Sequence, residues 1–335
     1  MQLAKSVLVT GGAGYIGSHT CKALAQSGYL PVTLDNLVCG HREAVRWGPF
    51  VRGDLSDQAL VRRVLRDHHV AAVMHFAGYA YVGESMLAPG KYFDNNVCNS
   101  VALLEAMHAE GVGRIVFSST CATYGLPHSI PIDETHIQQP VNPYGESKLF
   151  VERMLDWYRA AHGLRYAALR YFNAAGADPD GEIGEDHTPE THAIPLVIET
   201  ALGRRPQFSI FGTDYPTRDG SAIRDFVHVT DLAAAHVLAL RQLEHGNESV
   251  CLNLGTGRGH SVREVIAMVE QIGGRAIVTR EASRRPGDPP ELVADSARAR
   301  ALLEWTPRHS DLRTIVSTAW RWHEARDSRA RSAAA

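Results

Sequence analysis

Cysteine is scarce: the 335-residue chain has five, Cys21, Cys39, Cys98, Cys121 and Cys251, scattered and odd in number. With no C-x-x-C among them they form neither a disulfide framework nor a zinc site, and reduced thiols in a cytoplasmic protein are expected. Long apolar runs are missing too, and none reaches the roughly 20 residues a membrane-spanning helix needs. The chain passes from Met1-Gln2-Leu3-Ala4-Lys5 straight into a strand-like run, so no signal peptide is expected. Nor is there an excess of one charge: 34 Lys and Arg against 37 Asp and Glu leave a net charge of -3, with no general attraction to nucleic acid or acidic membranes. Histidine is plentiful at 17, yet no H-E-x-x-H pattern or comparable ligand spacing stands out, and no metal is expected.

What is present is the composition of a globular protein, 44% hydrophobic and 21% charged, with length for a large α/β domain and a smaller one. Ser6-Val7-Leu8-Val9-Thr10 is a short apolar run suited to a doubly buried parallel strand. Gly11-Gly12-Ala13-Gly14-Tyr15-Ile16-Gly17 follows at once and leads into a helix. Strand, glycine turn and helix N-terminus in that order make a pyrophosphate site, because backbone N–H groups and the helix dipole face the anion. The next strand, over 31–34, ends in Asp35-Asn36-Leu37, about 20 residues beyond the glycines, where a carboxylate accepts from a ribose 2′-hydroxyl and repels a 2′-phosphate. That favours NAD over NADP.

Strands at 50–51, 71–76 and 114–118 then alternate with helices over 58–67 and 91–109, which implies a parallel sheet with helices on both faces. Ligands in such sheets lie beyond the carboxyl ends of the strands, where Asp54, Phe76-Ala77-Gly78 and Ser118-Ser119-Thr120 fall. Asn142-Pro143 opens a further helix with apolar Leu149, Val151, Met154, Leu155 and Trp157. Tyr144 and Lys148 stand one turn apart on it. Opposite charges at ~4 Å and an effective dielectric of about 20 attract by roughly 4 kcal/mol, enough to bring a tyrosine with an ordinary pKa near 10 toward neutrality. A tyrosinate base is therefore expected, with the Thr120 hydroxyl aimed at the same crevice.

The glycine turn, Asp35, the Ser-Ser-Thr strand end and Tyr-x-x-x-Lys together resemble the extended short-chain dehydrogenase/reductase family along essentially the whole chain. Within it the chain is similar to the nucleotide-sugar 4-epimerases, through Asp94-Asn95-Asn96, Tyr171-Phe172-Asn173, Phe211-Gly212-Thr213-Asp214-Tyr215, Arg224-Asp225 and Arg285-Pro286-Gly287-Asp288. The resemblance implies a doubly wound parallel Rossmann sheet over 1–173, and a smaller mixed α/β UDP-sugar-binding domain over 174–325 from which elements near 224–245 return to the first. Residues 326–335, small and charged, are expected as a disordered tail.

It also implies an NAD-dependent interconversion of UDP-glucose and UDP-galactose by transient oxidation at sugar C4. Tyr144 would be the base, Lys148 its pKa-lowering neighbour and Thr120 a hydrogen-bonding partner of the reacting oxygen. Gly11, Gly14, Tyr15, Ile16, Gly17, Asp35, Asn36, Leu37, Asp54 and Leu55 would hold the pyrophosphate and adenosine of NAD. Phe76, Ala77, Gly78, Asn95, Tyr144, Lys148 and Phe172 would line its nicotinamide half. Thr120, Asn173, His192, Phe211, Tyr215, Arg224, Arg285, Asp288 and Leu292 would surround the UDP-sugar, and relatives suggest a homodimer.

Four positions depart from the commonest pattern: Thr120 replaces Ser, His192 Asn, Ala80 Lys, and Leu292 a Tyr, Cys or Ser. These leave UDP-pentose and UDP-N-acetylhexosamine epimerisation as alternatives. A 4,6-dehydratase needs an Asp-Glu pair after Thr120 and a decarboxylase a Glu at 122, whereas Cys121-Ala122 stand there. A non-catalytic NAD-sensing scaffold on the same fold is disfavoured by the intact Tyr-Lys pair.

Overall fold

The computed structural model describes residues 4–285 and 287–334. Six strands in the first half, β1 (Ser6–Thr10), β2 (Leu30–Asp35), β3 (Phe50–Arg52), β4 (Val70–His75), β5 (Arg114–Thr120) and β6 (Arg165–Tyr171), pair in parallel. Later come β7 (Asn173–Ala175), β8 (Phe208–Phe211), β9 (Ile223–His228), β10 (Val250–Leu254), β11 (Gly259–Ser261), β12 (Thr279–Ala282) and β13 (Glu291–Leu292). The large sheet runs β10-β6-β5-β4-β1-β2-β3, so its order reverses between β1 and β4, where a doubly wound sheet opens its crevice.

Alternation along the strands fills a core on each face. Val7 and Val9 face one cluster with Met74, Val116 and Leu169, while Leu8, Val73, Ile115 and Phe117 face the other. Each such fully buried aliphatic side chain contributes about 1.5–3 kcal/mol. The first core is completed from the second half of the chain: Leu232, Ala235, Ala239 and Leu240 of the helix Val229–Glu244 pack into it with β10 and Trp305. The expected return of residues near 224–245 to the first layer is thus larger, taking in β10 and the short helix Ala297–Leu303 as well. A separate core of Ile194, Val197, Phe208, Val265, Ile315 and Trp320 supports the smaller sheets.

Three expectations need correction. The helix over 91–109 is interrupted by a π-helical turn, Phe93–Cys98, because Asp94, Asn95 and Asn96 are weak helix formers and buried Asn96 spends its amide elsewhere. The last helix runs Leu312–Ala334, so a tail that was expected to be disordered continues the helix, carried by its Ala and Arg content; Ala335 lies outside the described residues. Trp157, counted with the apolar face of its helix, is 75% exposed.

Behind the crevice lies a buried ion pair joining the helix Pro143–His162 to β6. Arg170 Nε donates to Glu152 Oε1 at 2.9 Å and Nη2 to Oε2 at 2.6 Å, and both side chains are 5% exposed. Ser119 Oγ donates to the same Glu152 at 2.5 Å, and Arg170 Nη1 to Tyr124 Oη at 2.9 Å. Removing one partner strands the other charge in the core. Glu152→Ala should therefore cost about 3–5 kcal/mol, read as a lowered urea midpoint at fixed NAD concentration; a loss under ~1 kcal/mol would mean that water replaces the carboxylate.

Candidate active site

The glycine turn is built by close approach. Gly11 has φ +71°, and a Cβ there would sit 2.6 Å from the Ala77 nitrogen; one on Gly17 would sit 2.2 Å from the Gly11 carbonyl oxygen. Gly14 caps the helix Tyr15–Gln26 with no side chain, and no acidic residue enters its first turn, so its N-terminal N–H groups stay available to an anion. Asp35 ends β2 with its carboxylate oriented: Oδ2 accepts from Ala13 N–H at 3.0 Å and Oδ1 from Leu37 N–H at 2.8 Å. Asn36 donates to Asp54 at 2.7 Å. Leu55 instead belongs to the core, 6% exposed. Tyr15 Oη donates to the Gly176 carbonyl at 2.6 Å, tying the turn to the segment after β7.

On the far side of the crevice, Asn142 caps the helix Pro143–His162 by accepting from Gly145 N–H at 2.8 Å. Gly145 lets that helix rest on the turn Cys121–Thr123, since a Cβ would fall 2.5 Å from the Ala122 oxygen. The Thr120 hydroxyl lies beside the Tyr144 phenol and favours its ionised form. Lys148, 4% exposed, donates from Nζ to the Ser118 carbonyl at 3.0 Å and lies over the Phe117 ring. Gly78 closes the approach, its position 3.4 Å from Lys148 Nζ were a Cβ present.

The electrostatics correct one expectation. Burial pushes the Tyr144 phenol up to about 12, outweighing the neighbouring Thr120 hydroxyl, which pulls it down. Burial brings Lys148 itself down to about 8. In the chain alone Tyr144 is therefore protonated at pH 7, because burial disfavours the charged phenolate.

The π turn supplies a residue that sequence reasoning passed over. Asn96, 3% exposed, accepts from Tyr79 N–H at 2.8 Å and donates to Ser147 Oγ at 3.0 Å, locking the loop after β4 to the Tyr144 helix. Its neighbour Asn95 donates to Asn96 at 3.0 Å. Phe76 packs on His236, and Phe172 joins Cys121, Tyr124, Ile132 and Ala294 in an apolar cluster against which Leu292 rests.

Several of the remaining expected residues meet along β9. Leu292 is paired with Arg224 in register, and Asn173 with Phe226. Arg224 forms a short ion pair with Asp288, whose carbonyl accepts from Tyr215 Oη at 3.4 Å. Arg285 stacks 4.1 Å over the Phe211 ring. Asp225, fully buried, accepts from the N–H groups of Thr256, Gly257 and Ala294, and so holds β13 beside β9.

His192 differs from expectation. Its Nδ1 turns to Glu185 at 2.8 Å and Glu190 at 3.0 Å, and with His187 these make a cluster. Burial pulls His192 down, but the two carboxylates outweigh it and raise it to about 10. The signal was legible as Glu185-x-His187-x-x-Glu190-x-His192, a spacing unlike the H-E-x-x-H searched for.

Residues 7–255 match the model of the NAD dependent epimerase/dehydratase family. A UDP-glucose 4-epimerase of Rhizobium leguminosarum bv. trifolii is 53% identical over 319 residues, covering 95% of this chain and 97% of that protein. The crystal structure of UDP-glucose 4-epimerase from Brucella ovis in complex with NAD superposes with a TM-score of 0.93 at 51% identity, covering 95% of this chain and 98% of that one. A UDP-glucose-4-epimerase from Stenotrophomonas maltophila, with bound NAD and formylated UDP-arabinopyranose, gives 0.94 at 41% identity, over 97% and 99%. The chain belongs to the NAD dependent epimerase/dehydratase family.

Proposed function

We infer that the protein is an NAD-dependent UDP-glucose 4-epimerase that interconverts UDP-glucose and UDP-galactose. The observation that carries this reading is the Tyr144 phenol beside the Thr120 hydroxyl, with buried Lys148 one turn along the same helix, beyond the carboxyl ends of β4 and β5 and opposite the glycine turn. The residues fit a dinucleotide: a side-chain-free helix N-terminus faces the crevice, and an oriented carboxylate ends the next strand. Gly11, Gly14, Tyr15, Ile16, Gly17, Asp35, Asn36 and Leu37 would hold its pyrophosphate and adenosine half, with Asp54 orienting Asn36. Phe76, Ala77, Gly78, Asn95, Lys148 and Phe172 would hold the rest.

Bound NAD supplies the hydride acceptor and donor for sugar C4. With the positive nicotinamide ring bound beside charged Lys148, Tyr144 would be ionised, and its Oη would then take the proton of the 4-hydroxyl as C4 is oxidised and return it when C4 is reduced on its other face. Thr120 orients that phenol. Lys148, charged below about pH 8, supplies the cation that a tyrosinate needs in a buried pocket. Arg224 and Arg285 hold the diphosphate through charge-assisted, bidentate donors, with Asp288 orienting Arg224. Residues 1–173 with the returning elements bind NAD, and 174–325 mainly bind the UDP-sugar.

Two further readings belong here. Val101, Phe150 and Trp157, at least 37% exposed on two neighbouring helices, form an apolar face that supports a homodimer. Five free cysteines, and no helix long and apolar enough to cross a membrane among the described residues, support a cytoplasmic location.

Tyr144→Phe should lower turnover at least ~100-fold with NAD still bound; a mutant keeping half of wild-type turnover removes Tyr144 as the base. Lys148 is charged below its lowered pKa and neutral above it, so wild-type kcat/KM should fall as pH rises past about 8. Lys148→Arg, which stays charged, should lose that alkaline limb whatever its residual rate, and a limb of unchanged position would place the titration elsewhere.

Leu292 brings no polar partner for an acetamide and packs on the Phe172 cluster. UDP-glucose and UDP-galactose should accordingly be the main pair, with side activity on the N-acetyl pair. Leu292→Tyr should cut the N-acetyl kcat/KM by on the order of 10- to 200-fold relative to the hexose. Chromatography of products from the hexose, N-acetyl and pentose pairs decides it, and a faster pentose reaction would reassign the substrate. Light scattering should give two chains for wild type and one for Trp157→Glu; a monomeric wild type rules out the dimer.

A further inference from the structure

The segment between β7 and the helix Ala193–Ala201 carries two groups of acidic side chains, and their charges are balanced in different ways. Asp178, Asp180 and Glu182 surround Lys22 Nζ at 2.9, 2.7 and 2.6 Å, so an ammonium already occupies the place of a cation. Glu185 and Glu190 have two imidazoles as ion-pair partners instead. His192 Nδ1 lies 2.8 Å from Glu185 Oε1 and 3.0 Å from Glu190 Oε1; His187 Nδ1 lies 3.3 Å from the same Glu185 oxygen and 3.7 Å from Glu190 Oε2.

Of these contacts only His192 Nδ1 to Glu190 is a hydrogen bond; the two to Glu185 lack the direction for one, and His187 to Glu190 is too long. Glu185, 3% exposed, has Oε1 between the two rings, yet neither that oxygen nor His187 Nδ1 makes a hydrogen bond. His192 Nδ1 serves Glu190, which also accepts from the Thr191 and His192 N–H groups, and leaving the buried Glu185 Oε1 unserved is costly. A central ion removes the conflict, because each donor atom then points inward. The four groups offer ligand atoms all within 4.8 Å of one another. Zinc holds imidazole nitrogen and carboxylate oxygen at about 2.0–2.2 Å, which sets tetrahedral neighbours roughly 3.4 Å apart. The four contacts above span that separation.

Access and support are present. The His192 side chain is 40% exposed and gives an ion a way in. The His187 ring is braced edge-on by Tyr15 and Tyr81, and the Glu185 carbonyl accepts from Trp322 Nε1 at 2.9 Å. We propose that Glu185, His187, Glu190 and His192 bind one divalent transition-metal ion of the zinc class. Two imidazoles and two carboxylates suit Zn²⁺ or Co²⁺ better than Mg²⁺ or Ca²⁺, which prefer all-oxygen shells. The ion clasps the loop 185–192 onto the start of the next helix, and through His187 it braces Tyr15 beside the glycine turn.

The test is a Co²⁺ titration of the full chain with NAD bound, after chelator treatment, followed by displacement with Zn²⁺. Wild type should take up one Co²⁺ per chain with the visible absorption of a tetrahedral site, and Zn²⁺ should bleach it. His187→Ala and Glu190→Gln should each weaken uptake more than ~100-fold, beyond the 10- to 100-fold cost of losing an outer-shell partner. Asp180→Asn, in the cluster filled by Lys22, should leave uptake unchanged. Circular dichroism and retained NAD identify variants that have folded; should His187→Ala not fold, the Glu190→Gln and Zn²⁺-displacement arms still decide. No uptake by wild type, or equal uptake in wild type and both ligand variants, would overturn the proposal and leave imidazolium–carboxylate pairs only. Loss of uptake in Asp180→Asn would overturn it too.

Discussion

The site depends on one seam, where the helix Pro143–His162 lies against the end of β5 closely enough that backbone and side chains bond directly. Gly145 abuts Ala122, Tyr144 meets Thr120, Lys148 bonds to the Ser118 carbonyl and Glu152 takes the Ser119 hydroxyl. Four consecutive contacts along one helix face leave the phenol and the ammonium no freedom to drift. Such preorganisation is what a proton transfer between fixed atoms requires. The cost is desolvation, visible in the raised Tyr144 and lowered Lys148, so charge in this pocket is stable only when its counter-charge is bound with it.

The second half of the chain does two jobs with interleaved elements. The helix Val229–Glu244 and β10 complete the core of the large sheet, while β9, between them and the smaller core, carries Arg224 outward. Asp225 is the hinge of this arrangement. Its buried carboxylate collects three backbone N–H groups from two segments, 256–257 and Ala294, and charge-assisted bonds of that kind fix β13, with Leu292, next to Arg224.

Between the two layers runs the crossover 177–192, whose carboxylates Asp178, Glu185 and Glu190 are buried and must be neutralised by the protein. Lys22, reaching from the glycine-turn helix, does so for the first group. The second group meets two imidazoles, of which His187 also packs on Tyr15 and Tyr81. Both devices fasten the same segment to the first helix of the dinucleotide half.

The sequence by itself determined the order of elements, the parallel sheet, the glycine turn with Asp35, and the pairing of Tyr144 with Lys148, since each rests on local periodicity, turn chemistry or one helical turn of spacing. It named the residues along β9 through resemblance alone, because strands of two or three residues carry no periodic signal. Tertiary structure decided what depends on burial and direction. A four-residue spacing placed Tyr144 and Lys148 together, yet only packing showed the ammonium aimed at Ser118 rather than at the phenol. The Asn96 lock, the Glu152–Arg170 pair and the Asp225 clasp join residues 18 to 69 positions apart, and no local pattern announces them. His192 looked like a pocket residue in the sequence and became a partner of Glu185 and Glu190, because the fold turned the loop back on itself so that four side chains share one point.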